Sequence, residues 1–338
     1  MKILVTGSAG FIAGYVIQKL LDEGNFVVGI DNFSKYGKTV KSYDNHPNYK
    51  FIESDAKNTD VLKELLIDCD QMLCLAALVG GISYFHEFPY DIISENEKIT
   101  AASFDSAIWA FKNYNLKKIN IVSSSMVYEN SIIFPSKEDD IYKIPPPLSS
   151  YGFQKLSCEY FARAAYEQYG LPYTIIRPFN CVGTGESKAI AEANIKSGNV
   201  LLTMSHVVPD IIKKILLGQN PLHIFGDGSQ IRYFTYGEDI ARGVLLCLQK
   251  KQALNQAFNL SSNKSMSILE LSEIIWKKIN NSPFKWISDT PYIYDVQKRI
   301  PDTSKAENLL GFYAKTDIED ILDKVINWVK KGLADGTI

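Results

Sequence analysis

Tyr151 and Lys155 stand four residues apart, a spacing that puts both side chains on one face of a helix. An ammonium group beside a phenol stabilises the phenolate, which makes Tyr151 a usable base near neutral pH. Such a base can take a hydroxyl proton as hydride leaves the same carbon, and Lys155 can also hydrogen-bond a nicotinamide ribose. A serine from the run Ser123-Ser124-Ser125, one strand end and one loop earlier, can hold the reacting hydroxyl. Tyr-x-x-x-Lys alone is common on solvated helix faces. It gains weight here from a second cluster, Gly7-Ser8-Ala9-Gly10-Phe11-Ile12-Ala13-Gly14. Gly7 permits a tight turn, Gly10 lets backbone approach a pyrophosphate, and a small residue at position 13 lets a helix pack close to a strand. Asp31, about twenty residues on, can accept both adenosine ribose hydroxyls and would repel a 2′-phosphate. The pattern points to NAD rather than NADP.

These residues need elements to hold them. Lys2–Thr6 reads as a buried parallel strand, residues 11–23 as a helix whose N-terminal dipole faces phosphate, and residues 26–30 as a second strand with Asp31 at its tip. A polar loop, 32–48, follows; its lysine-rich part, 34–41, reads as surface. Next come strand Tyr49–Glu53, helix 60–66, and strand 71–75 running into small residues from Ala76 to Gly81 that let a flat ligand lie against backbone. Pro89–Asn113 is predicted as a long amphipathic helix and Lys118–Val122 as a strand leading into the serine run. After a loop with Pro135 and Pro145-Pro146-Pro147, Ser149 or Ser150 caps a helix over 151–169, which Gly170 stops. Strand 172–177 completes an alternation that predicts an α/β fold, a Rossmann doubly wound parallel sheet. Beyond Asn180 the pattern changes: a polar stretch 183–205, helix 208–217, strand 223–225, a turn at 226–229, and helix Gly237–Gln249 returning to the first layer. The expected division is an NAD-binding domain over 1–180, with a returning segment about 234–262, and a smaller C-terminal α/β domain over 181–338.

Composition narrows the class. With 338 residues the chain can bury a large core, and a formal net charge of −2 gives no bulk attraction to nucleic acid. No apolar run approaches the roughly 20 residues of a membrane span, and the first residues already form a strand, with no signal peptide ahead of it. The five cysteines are odd in number and scattered (69, 74, 158, 181 and 247), as expected for reduced thiols in a cytoplasm. The four histidines are far apart, so no metal motif is expected.

Five segments in order carry a family resemblance: TGSAGFIAG (6–14), SSSMVY (123–128), YGFQK (151–155), RPFN (177–180) and GDGSQIRYF (226–234). Together they resemble the extended short-chain dehydrogenase/reductase family of nucleotide-sugar epimerases and dehydratases, over nearly the whole chain. The resemblance implies Tyr151 as base, Lys155 as its assistant and Ser124 on the reacting hydroxyl. It implies NAD contacts from Gly7, Gly10, Phe11, Ile12, Asp31, Asn32, Leu75, Ala76, Ala77, Tyr151, Lys155 and Pro178, with Asp55 and Ala56 at the adenine and Asn96 behind the nicotinamide. For a nucleotide-diphosphate sugar it implies Ser124, Ser125, Asn180, Arg232 and the late Arg299, with the guanidinium of Arg232 on phosphate. It also implies a homodimer formed through two long helices, about 94–112 and 151–169, and makes the C-terminal part the substrate-binding domain.

Departures from the pattern define the subclass. The 4,6-dehydratases carry Asp-Glu after the reacting residue, and the related decarboxylases a Glu; here stand Ser125 and Met126. Residues 76–82 and 205–209 look like GDP-fucose synthase and GDP-mannose 3,5-epimerase, but that branch uses a Cys where Met126 stands, and Met has no proton to transfer. The NADP-using synthase lacks an acid at the position of Asp31. His206 matches that branch's partner acid and reads as a proton donor or substrate ligand, or else as a helix-start residue near Pro209. Cys181 reads as a core cysteine. Tyr84, Phe85 and His86 could border the sugar or simply pack. The expected activity is a nucleotide-sugar epimerase that oxidises C4 to a ketone and returns the hydride. Two alternatives are a 4-dehydrogenase that releases the keto sugar from a GDP-hexose or GDP-heptose, and a non-catalytic NAD-binding regulator.

Overall fold

The computed structural model describes residues 1–80, 87–186, 206–291 and 296–338. Tyr84, Phe85 and His86 lie outside these residues, as does most of the polar stretch before His206. In β1 (Lys2–Thr6), Ile3 and Val5 enter one core cluster and Leu4 enters another. A strand covered on both faces must be apolar throughout, which is why this run carries no alternation of polar residues. There follow α1 (Phe11–Asp22), β2 (Phe26–Asp31), β3 (Tyr49–Glu53), α2 (Thr59–Leu66), β4 (Gln71–Cys74), α3 (Pro89–Asn113), β5 (Lys118–Val122), α4 (Ser150–Tyr169) and β6 (Tyr173–Pro178). The remainder comprises β7 (Cys181–Val182), α5 (Val207–Leu216), β8 (Leu222–Phe225), β9 (Ile231–Arg232), β10 (Thr235–Tyr236), α6 (Gly237–Gln249), β11 (Gln256–Leu260), β12 (Met266–Ser267), α7 (Ile268–Ile279), β13 (Trp286–Asp289), α8 (Ser304–Leu310) and α9 (Ile318–Asp335).

Seven strands form one parallel sheet in the order β11-β6-β5-β4-β1-β2-β3. Leu4 sits between Val28 and Met72 in the ladder. From β1 the chain builds outward to β3, then returns to build β4, β5 and β6 on the other side. The reversal opens a crevice at the C-terminal ends of β1 and β4, the place where doubly wound sheets bind ligands. Residues of α1, α6 and α8 cover one face, and residues of α2, α3 and α4 the other. A separate cluster joins α5, β8, α7 and α9 around Trp276, Ile212 and Val325.

The elements agree with the periodicity reading to within a residue or two at their ends. The polar cap of α4 decides one choice: Ser149 Oγ accepts from Gly152 N at 3.0 Å, while Ser150 opens α4. Gly170 closes that helix at φ 74°, a left-handed conformation natural to glycine.

Candidate active site

The turn after β1 is built around one missing side chain. Gly7 has φ 71°, its N–H donates to Ile30 O at 2.9 Å, and a Cβ placed on it would lie 2.6 Å from Ala76 N. Thr6 Oγ1 draws the next strand end in by accepting from Leu75 N and Ala76 N, both at 3.2 Å. Gly10 caps α1 with no side-chain hydrogen bond, so no side chain claims the first helical amides at Phe11 and Ile12. That leaves an amide-lined, positively polarised helix end at the crevice.

The opposite wall is acidic. Asp31 Oδ2 accepts from Ala9 N at 3.0 Å and Oδ1 from Phe33 N at 2.7 Å. Burial pushes its carboxyl pKa up, against the pull of these bonds. Asn32 Nδ2 donates to Asp55 Oδ2 at 3.2 Å, and Ala56 is buried next to it. The strand ends of β2 and β3 thus gather Asp31, Asn32, Asp55 and Ala56 on one rim. The lysine-rich loop lies at the surface, with Ser34, Lys38 and Val40 exposed; Lys35 and Lys41 are half-buried, burial lowers the pKa of both, and Lys41 feels the charges of Asp44 and Asp31. The loop folds back toward the Asp31 rim because Tyr43 is buried beneath it and packs edge-on to Tyr49 at 5.0 Å.

A recess between sheet and helices is lined by Ala76, Ala77, Asn96, Val122, Gln154 and Lys155, among others. Lys155 Nζ donates to Val122 O at 2.9 Å and lies 5.9 Å from the centre of the Tyr151 ring. Tyr151 is the second residue of α4, one turn before Lys155. Ser124 follows β5, and its Oγ accepts from Met126 N at 3.1 Å. Ser125 is buried, and Met126 is 5% exposed. Asn96 has a defined duty: Oδ1 accepts from Leu78 N at 2.6 Å and Nδ2 donates to Leu78 O at 2.9 Å, clamping the loop after β4. Pro178 ends β6.

On the far side of the sheet end, Asn180 adopts φ 36°, a left-handed value that asparagine tolerates. Its Nδ2 donates to Tyr233 O at 3.2 Å and its carbonyl accepts from Thr235 N at 3.1 Å. Arg232 is buried and hydrogen-bonds Ile231 O at 3.0 Å through Nη1; Arg299 N donates to the same carbonyl at 3.3 Å. The two arginines therefore hang from one point of β9. His206 is the N-cap residue of α5, and its Nδ1 meets the carboxylate of Glu186, which is 2% exposed. Burial pushes the Cys181 thiol pKa well up, as suits a packed rather than a nucleophilic cysteine.

The cradle fits a dinucleotide: a turn with no room for a side chain, an uncapped helix end, an acid rim and a recess reaching Lys155. The NAD dependent epimerase/dehydratase family model matches residues 3–261. The chain belongs to this family. A UDP-glucuronate 4-epimerase of Thermodesulfobacterium geofontis is 29% identical over 339 residues, covering 98% of this chain and 96% of that one. Among solved structures, the UDP-glucose 4-epimerase of Thermotoga maritima bound to UDP-glucose superposes with a TM-score of 0.80 at 27% identity, covering 98% of this chain and 100% of that one. The UDP-glucuronic acid 4-epimerase of Bacillus cereus, in complex with UDP-glucuronic acid and NAD, gives a TM-score of 0.82 at 28% identity, covering 98% and 99%. This epimerase/dehydratase family member is an NAD-dependent enzyme.

Several residues that support the site escaped the sequence reading. Glu129 accepts from Ser149 N at 3.0 Å and from Ser149 Oγ, bracing the turn two residues before Tyr151. Gly152 makes room for that brace, since a Cβ there would lie 2.7 Å from Pro147 and 2.9 Å from Glu129. Beneath them lies a buried ion pair, Arg177 to Glu159, at 2.8 Å from Nε and 2.7 Å from Nη2. Glu159 also accepts from Ser123 Oγ at 2.7 Å. Burial raises the Glu159 carboxyl pKa, but Arg177, Ser123 and Arg163 together outweigh it and the net shift is downward. The arginine of RPFN is thus a structural post under the serine run. No local spacing in the sequence pairs residue 159 with 177.

Proposed function

We propose that this family member is an NAD-dependent nucleotide-sugar 4-epimerase acting on a UDP-hexose. The observation that carries the reading is the junction of β5 and α4: Ser124, Tyr151 and Lys155 beside the cofactor recess, with Met126 and Ser125 after the reacting serine. In this scheme Ser124 holds the sugar 4-hydroxyl and Tyr151, as phenolate, removes its proton. Lys155, held on Val122 O at 2.9 Å, offsets the phenolate charge and reaches the nicotinamide ribose. Bound NAD supplies reversible hydride acceptance at the sugar C4. Tyr151 gives the proton back to the oxygen once the keto sugar has turned its other face. Neither the Met126 thioether nor the Ser125 hydroxyl can take the C5 proton, so these two positions do not drive loss of water and the ketone is reduced again.

The remaining residues follow their positions. Gly7, Gly10, Phe11 and Ile12 take the pyrophosphate, Asp31 and Asn32 the adenosine ribose, Asp55 and Ala56 the adenine. Leu75, Ala76, Ala77 and Pro178 flank the nicotinamide half, and Asn96 holds the loop beside it. Asn180, Arg232 and Arg299 bind the sugar-nucleotide diphosphate, and His206, steadied by Glu186, is a sugar ligand. UDP is favoured over GDP because the relatives with named substrates, epimerases and decarboxylases alike, act on UDP-sugars. The chain divides its work near residue 180, cofactor before it and sugar nucleotide mainly after it. It pairs through α3 and α4, whose exposed aromatics include Tyr90, Phe153, Tyr160 and Tyr166. Five free cysteines suit a reducing cytoplasm.

Incubation with UDP-, dTDP- and GDP-sugars tests the reading. A new C4 epimer without net NADH is expected from a UDP-sugar. Stoichiometric NADH and a keto sugar would make the enzyme a 4-dehydrogenase instead. No turnover of any sugar, with Tyr151→Phe indistinguishable from the parent, would leave a regulator.

A further inference from the structure

Tyr15 lies on α1, one turn inside the helix that faces the cofactor pyrophosphate, yet its side chain reaches out of that layer. It packs against the cluster beneath α1 and α6 and also against the cluster around Trp276. Its ring stands edge-on to Phe11 and to Tyr236, both with centroids 5.7 Å away. The hydroxyl accepts from Thr184 N at 2.7 Å and faces Thr184 O at 3.1 Å and Thr184 Oγ1 at 3.0 Å. One residue thus supplies a donor and two further oxygens to one phenol. Two glycines form the slot. A Cβ on Gly183 would collide with the Tyr15 hydroxyl, and one on Gly237 would lie 2.5 Å from the ring edge. Neither glycine has a left-handed φ, so backbone conformation does not require them; the ring does. A side chain that merely filled an apolar gap would need no hydroxyl and no such partner.

The segment so held matters. β7 follows Asn180 directly and pairs in parallel with β10, which follows Arg232 and Tyr233. The ribbon therefore carries Asn180 and adjoins Arg232. We propose that Tyr15 is a positioning residue that sets the spacing between two diphosphate sites, the cofactor's at the start of α1 and the sugar nucleotide's on the β7–β10 ribbon, so that cofactor occupancy orders the substrate side. The second of these sites rests on the function proposed above.

Two measurements separate that dependence. Amide hydrogen exchange is followed in a peptide spanning residues 179–186, with NAD bound and with NAD removed, in the parent and in Tyr15→Phe. The parent loses about tenfold in exchange at Thr184 when NAD binds, and the Phe variant loses this protection. Steady-state assays with UDP-glucose then show KM raised about five- to tenfold in Tyr15→Phe, with kcat within about twofold and NAD content unchanged. Gly183→Ala impairs KM in the parent but adds nothing in Tyr15→Leu, whose shorter side chain vacates the slot. NAD protection absent from the parent or equal in both proteins, an unchanged KM, or additive losses in the double variant would overturn the proposal. A parent that turns over no UDP-sugar refutes the proposed function instead and leaves the exchange result to decide the role of Tyr15.

Discussion

At the scale of single residues, one oxygen separates a catalyst from a binding protein. Tyr151→Phe keeps the ring and removes the hydroxyl proposed to exchange the proton. Turnover of the UDP-sugar is expected to fall about 10²- to 10⁴-fold, while NAD released on denaturation stays equimolar with protein. Asp31 makes a different prediction. Burial raises its carboxyl pKa, so it takes a proton at a higher pH than an exposed aspartate would. In its proposed role on the ribose, the protonated acid can no longer accept from both hydroxyls. Titration of NAD into stripped protein should therefore show affinity falling on acidification from above the ordinary aspartate range, and Asp31→Asn should show a weak, flat profile. The Tyr-Lys spacing and the glycine turn were legible because they act within one helix turn or one loop. Glu129, Thr6 and Tyr15 were not. Each meets its partner only after helices and strands have packed, and a glutamate or tyrosine alone carries no periodic signal.

At the scale of elements, the N-terminus of α4 carries the proposed base, Tyr151. Ser149 caps it, and Glu129 in turn holds Ser149 by its N–H at 3.0 Å. Ser149→Ala removes the cap and leaves the Glu129 carboxylate short of its hydroxyl partner, so a loss of about 1–2 kcal/mol is expected from urea denaturation. Because Tyr151 sits in the first turn, kcat should fall further than KM shifts. The long helices and the sheet strands could be read from apolar runs and caps. The two-residue ribbons β7–β10 and β9–β12 could not, since two residues have no period. Those ribbons hold Arg232 and start directly after Asn180, so the proposed cofactor side was legible as architecture and the proposed substrate side only by resemblance.

At the scale of the molecule, burial has a price in charge. Lys118 is 2% exposed, and its Nζ donates to Cys247 O at 2.7 Å at the end of α6. Burial pushes its pKa down to about 8. An unfolded lysine titrates near 10.4, so between about pH 8 and 10.4 the unfolded state binds more protons than the folded one. Stability from this group therefore rises with pH across that window. Denaturation at pH 7.5 and at pH 10 should show the parent gaining up to about 3 kcal/mol relative to Lys118→Met, with no such gain if the ammonium is solvated. The sheet has a consequence for synthesis. β6 ends at Pro178, but the strand that covers its outer edge, β11, begins at Gln256. At ~5–20 residues per second a ribosome needs about 4–15 s to cross that interval. Throughout it, β6 offers an unpaired row of backbone donors and acceptors to any neighbouring nascent chain. Chains stalled before residue 256 should therefore be chaperone clients, and completed ones should not.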